Sequence, residues 1–499
     1  MARHGQGRSR KQWQQAAQRR RFQKRRVRLI AAPARNKESL NAALNWFLGD
    51  GSIFNQLTLH GNTTWLPVSL VKLALVWCWS ECQHLTDAFA SAVAGCDTML
   101  GGAALRSYQG FVGALVTWTP SFLPLLCLLL QRRMQEIGGS FWEIAGFVPL
   151  GVDGSRSTAP CTISNEAAFC AANYGHGKTA KYRKKKSKGQ RRQRNKANPP
   201  RPQEPQAWIT LLWHVGLRLP WAWRLGPSNS SERGHAIELL HAGKFPENVL
   251  FIGDAGFVGY PFWSQIVRAG RHFLVRVGAN VSLLKTAADF SCEKNGLVLC
   301  WPQRLQHEPP LRLRLLKVRI GKTKMWMLTS VLSQRKLPAA QIVKFYRLRW
   351  GIEVEFRGLK QTLDRGKLRS RNSAHLYVEL DWSILAMAVA ELLALQAQLA
   401  PRRSSRNKQP PTPSDRSLAA TMRALRRCLR NLNERPPAGQ DLAALLHGAL
   451  TDRYHRRCSK QGRHYRPNPD KKPLGNPQLR SLTRAERQLL NQIPTHLAA

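Results

Sequence analysis

The chain has 499 residues, 43% of them hydrophobic, and a formal net charge of +49 from 78 Lys/Arg against 29 Asp/Glu. That length exceeds one simple core and suits two or three domains, while so large a charge speaks of a polyanionic partner and not of fold. Ten cysteines without a CxxC pair exclude a small disulfide scaffold and structural zinc spacing and fit a reducing compartment.

Residues 1–37 hold 13 Lys/Arg and no acid and read as a basic N-terminal arm able to neutralise phosphates. The apolar stretch LIAAPA (residues 29–34) into which the basic start runs is too short for a secretory signal. Residues 38–135 place apolar positions at helical spacing and predict an all-helical domain that could contact DNA. Within it, Cys78, Cys82 and His84 lack a fourth ligand and read as core residues. The run FVGALVTWTPSFLPLLCLLL (residues 111–130) is long enough to span a bilayer. Because Pro120 and Pro124 interrupt it and Thr117, Thr119 and Ser121 dilute it, the expectation is buried helices and no membrane.

From about residue 140 the texture becomes short apolar runs ending in turn residues. FVPLGVDGSR predicts a strand closing on Asp153, AWITLLWHVGLRLPWAWRLG a hairpin, SERGHAIELLHAG a helix capped by Ser231, and NVLFIGDAGF a strand closing on Asp254. YPFWSQIVRAG and HFLVRVG add a helix and a strand, so residues 140–400 read as an α/β unit with a mixed sheet. Two insertions break it: a basic segment at 172–206, with 12 Lys/Arg and no acid in 178–202, which is expected to be flexible, and a β-rich segment at 280–322. Glu379, Asp381 and Glu391 argue against a membrane role for the apolar helix that ends the unit. Residues 401–499 carry 21 Lys/Arg against 6 acids and are expected to be loosely structured.

Asp153 and Asp254 each precede small residues where the backbone can turn away and leave a carboxylate in a crevice, although either alone is equally a turn-forming aspartate. At 100° per residue, Tyr346, Arg349, Glu353 and Lys360 share one narrow helical face, whereas Glu355 points elsewhere. Gly351 weakens that helix by about 1 kcal/mol relative to alanine and permits a bend. An ordinary surface ion pair between Arg349 and Glu353 is the competing reading of the face. Three carboxylates suit Mg²⁺ or Mn²⁺, and two such ions serve in-line phosphoryl displacement.

The spacing Y-x2-R-x3-E-x6-K, here YRLRWGIEVEFRGLK, resembles the signature of bacterial insertion-sequence transposases with a DDE active site on an RNase H-like fold. The resemblance covers about residues 140–400, and neither the 172–206 insertion nor the long basic tail is matched to it. It implies that Asp153, Asp254 and Glu353 are catalytic metal ligands for two Mg²⁺ or Mn²⁺ ions, and that Tyr346, Arg349 and Lys360 hold DNA near the cut. It further implies a bacterial cytoplasmic, nucleoid-associated protein that acts as a homodimer on double-stranded transposon ends and target DNA by cut-and-paste transposition. An RNase H-like nuclease without strand transfer would share all three carboxylates, whereas a non-catalytic DNA-binding derivative would be expected to have lost at least one of them. Trp301 or Trp326 of the β-rich insertion could stack on an extruded base, with core packing as the competing role.

Overall fold

The computed structural model describes residues 34–61, 63–170, 204–285, 296–321, 323–400, 411–451 and 474–492. Nearly all of the basic arm and of the 172–206 insertion lies outside these residues.

Four α-helices come first among the described residues: α1 (Asn36–Leu48), α2 (Pro67–Trp79), α3 (Leu85–Leu100) and α4 (Tyr108–Gly138). Pro67 starts α2, where a missing N–H costs no helical bond. Pro120 and Pro124 do not interrupt α4, contrary to the sequence expectation; one helix runs through both. Its buried stripe, from Phe111 and Leu115 through Phe122 and Leu126 to Met134, supplies tertiary packing that outweighs the lost amide bonds. By length and composition α4 could cross a membrane, and 33% of its apolar window is buried. Cys78 is buried and its thiol pushed up to about 12 by burial, as for a core residue.

The sheet begins with β1 (Val148–Thr158), followed by α5 (Ile163–Phe169), β2 (Gln206–His214), β3 (Leu219–Gly226), α6 (Glu232–Ala242), β4 (Val249–Gly253), α7 (Tyr260–Arg268) and β5 (His272–Val277). β1, β2 and β3 form an antiparallel meander, β4 lies parallel to β1, and β5 parallel to β4. This 3-2-1-4-5 order with helices packed on the sheet is an RNase H-like arrangement. The insertion supplies β6 (Ser282–Lys285), β7 (Gly296–Cys300) and β8 (Leu311–Ile320), and β9 (Thr323–Thr329) pairs antiparallel with β5 to make one continuous sheet.

Two consecutive helices follow, α8 (Ala339–Arg349) and α9 (Gly351–Arg357), then a π-helical turn over Gly358–Thr362 and the long helix α10 (Ser373–Leu399). The break at Trp350 has a local cause. A Cβ on Gly351 would overlap the Trp213 indole, with Cζ2 and Cζ3 both 3.0 Å away, so glycine there admits close approach of the helix to β2. α10 is buried along almost its whole length between the sheet and the N-terminal helices. Trp382 donates to Thr119 Oγ1 of α4 at 2.8 Å, and Trp79 of α2 donates to the Ala386 carbonyl at 2.9 Å. The helical region and the sheet therefore share one apolar core.

The described parts of the C-terminal region are ordered, which corrects the expectation of a loose tail. α11 (Leu418–Arg430) buries Met422, Leu425 and Cys428 and turns Arg423, Arg427 and Arg430 outward, and α12 (Leu442–His447) packs beside it on α10. Amphipathic spacing gives this arginine-rich segment an interior face despite its net charge. β10 (Gln478–Ser481) adds in parallel to β6, and α13 (Arg484–Gln492) follows it.

Candidate active site

Asp153 lies within β1 rather than at its end, opposite Leu211 of β2. The sequence misplaced the strand end because Gly154 reads as a turn. The parallel pairing with β4 stops at Gly151↔Ile252; continuing that register by two residues brings Asp153 level with Asp254. Beyond that point β1 leaves β4, and both aspartates stand at the crevice where the two strands part. Asp153 Oδ1 accepts from the Gly154 amide at 2.9 Å and Asp254 Oδ1 from the Gly256 amide at 2.7 Å.

Arg349 joins the helix to this crevice. Its guanidinium, nearly buried, donates to Asp153 Oδ2 at 3.1 Å and to Glu353 Oε1 at 3.4 Å, and lies 5.5 Å from the Tyr346 ring centroid. The surface pair envisaged from sequence is thus one half of a three-member ionic bridge, and as placed the guanidinium is committed to carboxylates. Burial raises the Asp153 carboxyl above its usual range, opposed chiefly by Arg349, while Asp254 and Glu353 add to the rise. Lys360 Nζ donates to Ser155 Oγ, two residues beyond Asp153, at 2.8 Å. The π turn changes the angular spacing assumed for a straight helix, yet Lys360 still reaches β1. Trp350 and Val354 expose apolar surface beside Glu353.

Sequence reasoning passed over a fourth carboxylate. Ser231 Oγ caps α6 by accepting from the Gly234 amide at 3.2 Å, which places Glu232 in the first turn, half-buried against Gly154. Burial raises its carboxyl, and Asp153 and Asp254 raise it further. Its place in the first helical turn is a signal that reads equally as helix-end charge compensation.

Glu355 does point away from the site, but into the interior. Burial and the neighbouring Glu391 of α10 hold its carboxyl well above the usual carboxylate range, opposed by Arg416 and Arg218. Arg416 pairs with Glu391 at 3.5 Å and donates to the carbonyls of Leu217 and Arg218 in the β2–β3 turn. Trp301 and Trp326 are both buried, donating to the Glu308 carbonyl at 2.8 Å and to Asn476 Oδ1 at 2.9 Å. Their indoles pack the insertion and are not presented to a base.

An all-oxygen carboxylate set suits a hard divalent cation. Among the described residues, however, no three His, Cys, Asp or Glu side chains converge closely enough to hold a metal as placed, and the Arg349 guanidinium sits between Asp153 and Glu353. The donors fit the ion in kind, and convergence requires side-chain rotation.

Residues 178–389 match the family described as the transposase DDE domain, a span that includes Asp254 and Glu353 and begins after Asp153. The Sinorhizobium fredii protein y4zB, named as a transposase, is 28% identical over 154 residues, or 29% of this chain; the chain spans 42% of that relative's length. A solved synaptic complex of the piggyBac transposase with hairpin DNA aligns with 12% identity over 83% of this chain and 86% of that one. The TM-score of that alignment is 0.34.

Proposed function

We propose that the chain, whose residues 178–389 match the transposase DDE domain, is a DDE-type insertion-sequence transposase in which Asp153, Asp254 and Glu353 form the carboxylate centre of a metal-dependent enzyme that cleaves DNA at transposon ends and joins the freed ends to target DNA. The observation that carries this reading is the meeting of the two aspartates where β1 and β4 part, with Glu353 tied to Asp153 through Arg349. Two Mg²⁺ or Mn²⁺ ions would supply activation of the attacking oxygen and stabilisation of the leaving one. The protein's part is to present oxygen donors from three separate elements and to fix their mutual orientation. Arg349 orients both Asp153 and Glu353 and contributes positive charge beside the scissile phosphate; Tyr346 and Lys360 flank it and contact neighbouring phosphates.

Double-stranded DNA is the partner that the basic arm, insertion and tail suit, and a homodimer engaging paired ends in the bacterial cytoplasm completes the reading. The test incubates the full chain with a labelled end-bearing fragment and a target plasmid in Mg²⁺ or Mn²⁺. Cleaved and joined products are expected. Cleavage without joining would leave a nuclease, and DNA binding without cleavage a non-catalytic derivative.

A further inference from the structure

We infer that Glu232 is a fourth carboxylate ligand of the proposed metal centre, an inference that rests on the function proposed above. Glu232 belongs to α6, an element that carries none of the three acids of the signature, yet its carboxylate lies between the β1 segment that bears Asp153 and the turn that bears Asp254. A Cβ on Gly154, the residue after Asp153, would overlap Glu232 Oε1 and lie 2.8 Å from its Cδ. On the other side, a Cβ on Gly256 would lie 3.7 Å from Glu232 Oε2 and 3.0 Å from Asp254 Oδ1. Gly154 thus leaves the space in which this one side chain sits, and the carboxylate's other oxygen lies in ordinary contact distance of Gly256.

The surroundings do not account for that placement by charge pairing. Arg233 turns away to donate to the Val258 carbonyl at 2.6 Å, and Arg156 lies over the Trp208 ring, 4.4 Å from its centroid. Among the described residues the Glu232 carboxylate forms no ion pair, and Asp153 and Asp254 are the first charges acting on it. Arg349 pairs with Asp153, and Arg156 and Arg233 act on Glu232 more weakly than the two aspartates do; the acids still repel one another, and a shared hard cation would reverse the sign of that interaction. Helix-end charge compensation alone would need no glycine at position 154.

The experiment measures Mn²⁺ binding to the full chain by titration calorimetry, comparing the parent with Glu232→Gln, Glu232→Asp, Asp153→Asn and, as a control on the same helix, Glu238→Gln. Thermal melts check that each variant folds. Glu232→Gln is expected to weaken Mn²⁺ by at least about tenfold, Glu232→Asp to recover part of that loss, and Glu238→Gln to bind as the parent does. Parent-like binding by Glu232→Gln, alongside lost binding in Asp153→Asn, overturns the role of Glu232 and leaves the proposed function standing. Absence of saturable Mn²⁺ binding in the parent, or parent-like binding by Asp153→Asn, overturns both.

Discussion

The two faces of α9 carry glutamates two residues apart in opposite surroundings. Glu353 keeps a side-chain exposure of 35% and shares Arg349 with Asp153 at the crevice, whereas Glu355 is buried against Glu391, Arg416 and Arg218. On the front face charge is held where a ligand can reach it. On the rear face burial and Glu391 favour the neutral carboxyl, so Glu355 belongs with packing rather than chemistry. A short polar motif therefore has to be read by what each face of its helix meets, because residue type alone makes the two glutamates equivalent.

The largest expected effect lies on the front face. Asp153→Ala, Asp254→Ala and Glu353→Ala should each reduce DNA cleavage by at least the about 10²–10³-fold that removal of one transition-state-stabilising group costs, with DNA affinity in a gel-shift assay little changed. Cleavage retained by any one of them would remove that residue from the centre.

The rear face should fail differently. Glu355→Ala removes the carboxyl that hydrogen-bonds Glu391 and leaves a cavity, and is expected to lower stability by about 1–3 kcal/mol in denaturant titration while the molecules that remain folded still cleave. A fully stable Glu355→Ala would erase the distinction between the faces. Gly351→Ala drives a methyl into Trp213 and should cost about 1–3 kcal/mol by overpacking, despite alanine's better helix propensity; stabilisation there would mean that the break at Trp350 has another origin.

The smallest effect concerns pH in the same interior. Asp381 on α10 is raised by burial to about 7 although Trp223 donates to it at 2.9 Å. The folded chain thus holds a proton that the unfolded chain releases above its ordinary carboxyl range. Stability from this group is present at low pH and is lost as pH rises toward about 7. Asp381→Asn, which stays neutral, should gain melting temperature relative to the parent as pH rises from about 4 to about 7; a constant difference across that window would contradict the raised carboxyl.

Much of the front face was legible in the sequence, since strand ends, a hairpin and a helical phase are local patterns. The rest depended on contacts between distant segments. Asp153 was taken for a strand terminus because β2, its antiparallel partner, arrives only after the basic insertion and extends the strand past Gly154. Glu232 stood next to a recognised cap, and nothing in its own segment says that α6 aims it at Gly154. Glu355 was read as pointing away from the shared face, but the glutamate and arginine that meet it come from residues 391 and 416. Arginine density hid the order of the C-terminal helices, whose apolar spacing becomes informative only once α10 offers a surface to cover.

The most direct measurement sets Glu353→Gln beside Glu355→Gln in one Mg²⁺-dependent cleavage assay on end-bearing DNA, with melting curves for both. The account predicts that Glu353→Gln folds and melts like the parent but does not cut, while Glu355→Gln cuts. Cleavage by Glu353→Gln, or a folded Glu355→Gln that cannot cut, would contradict it.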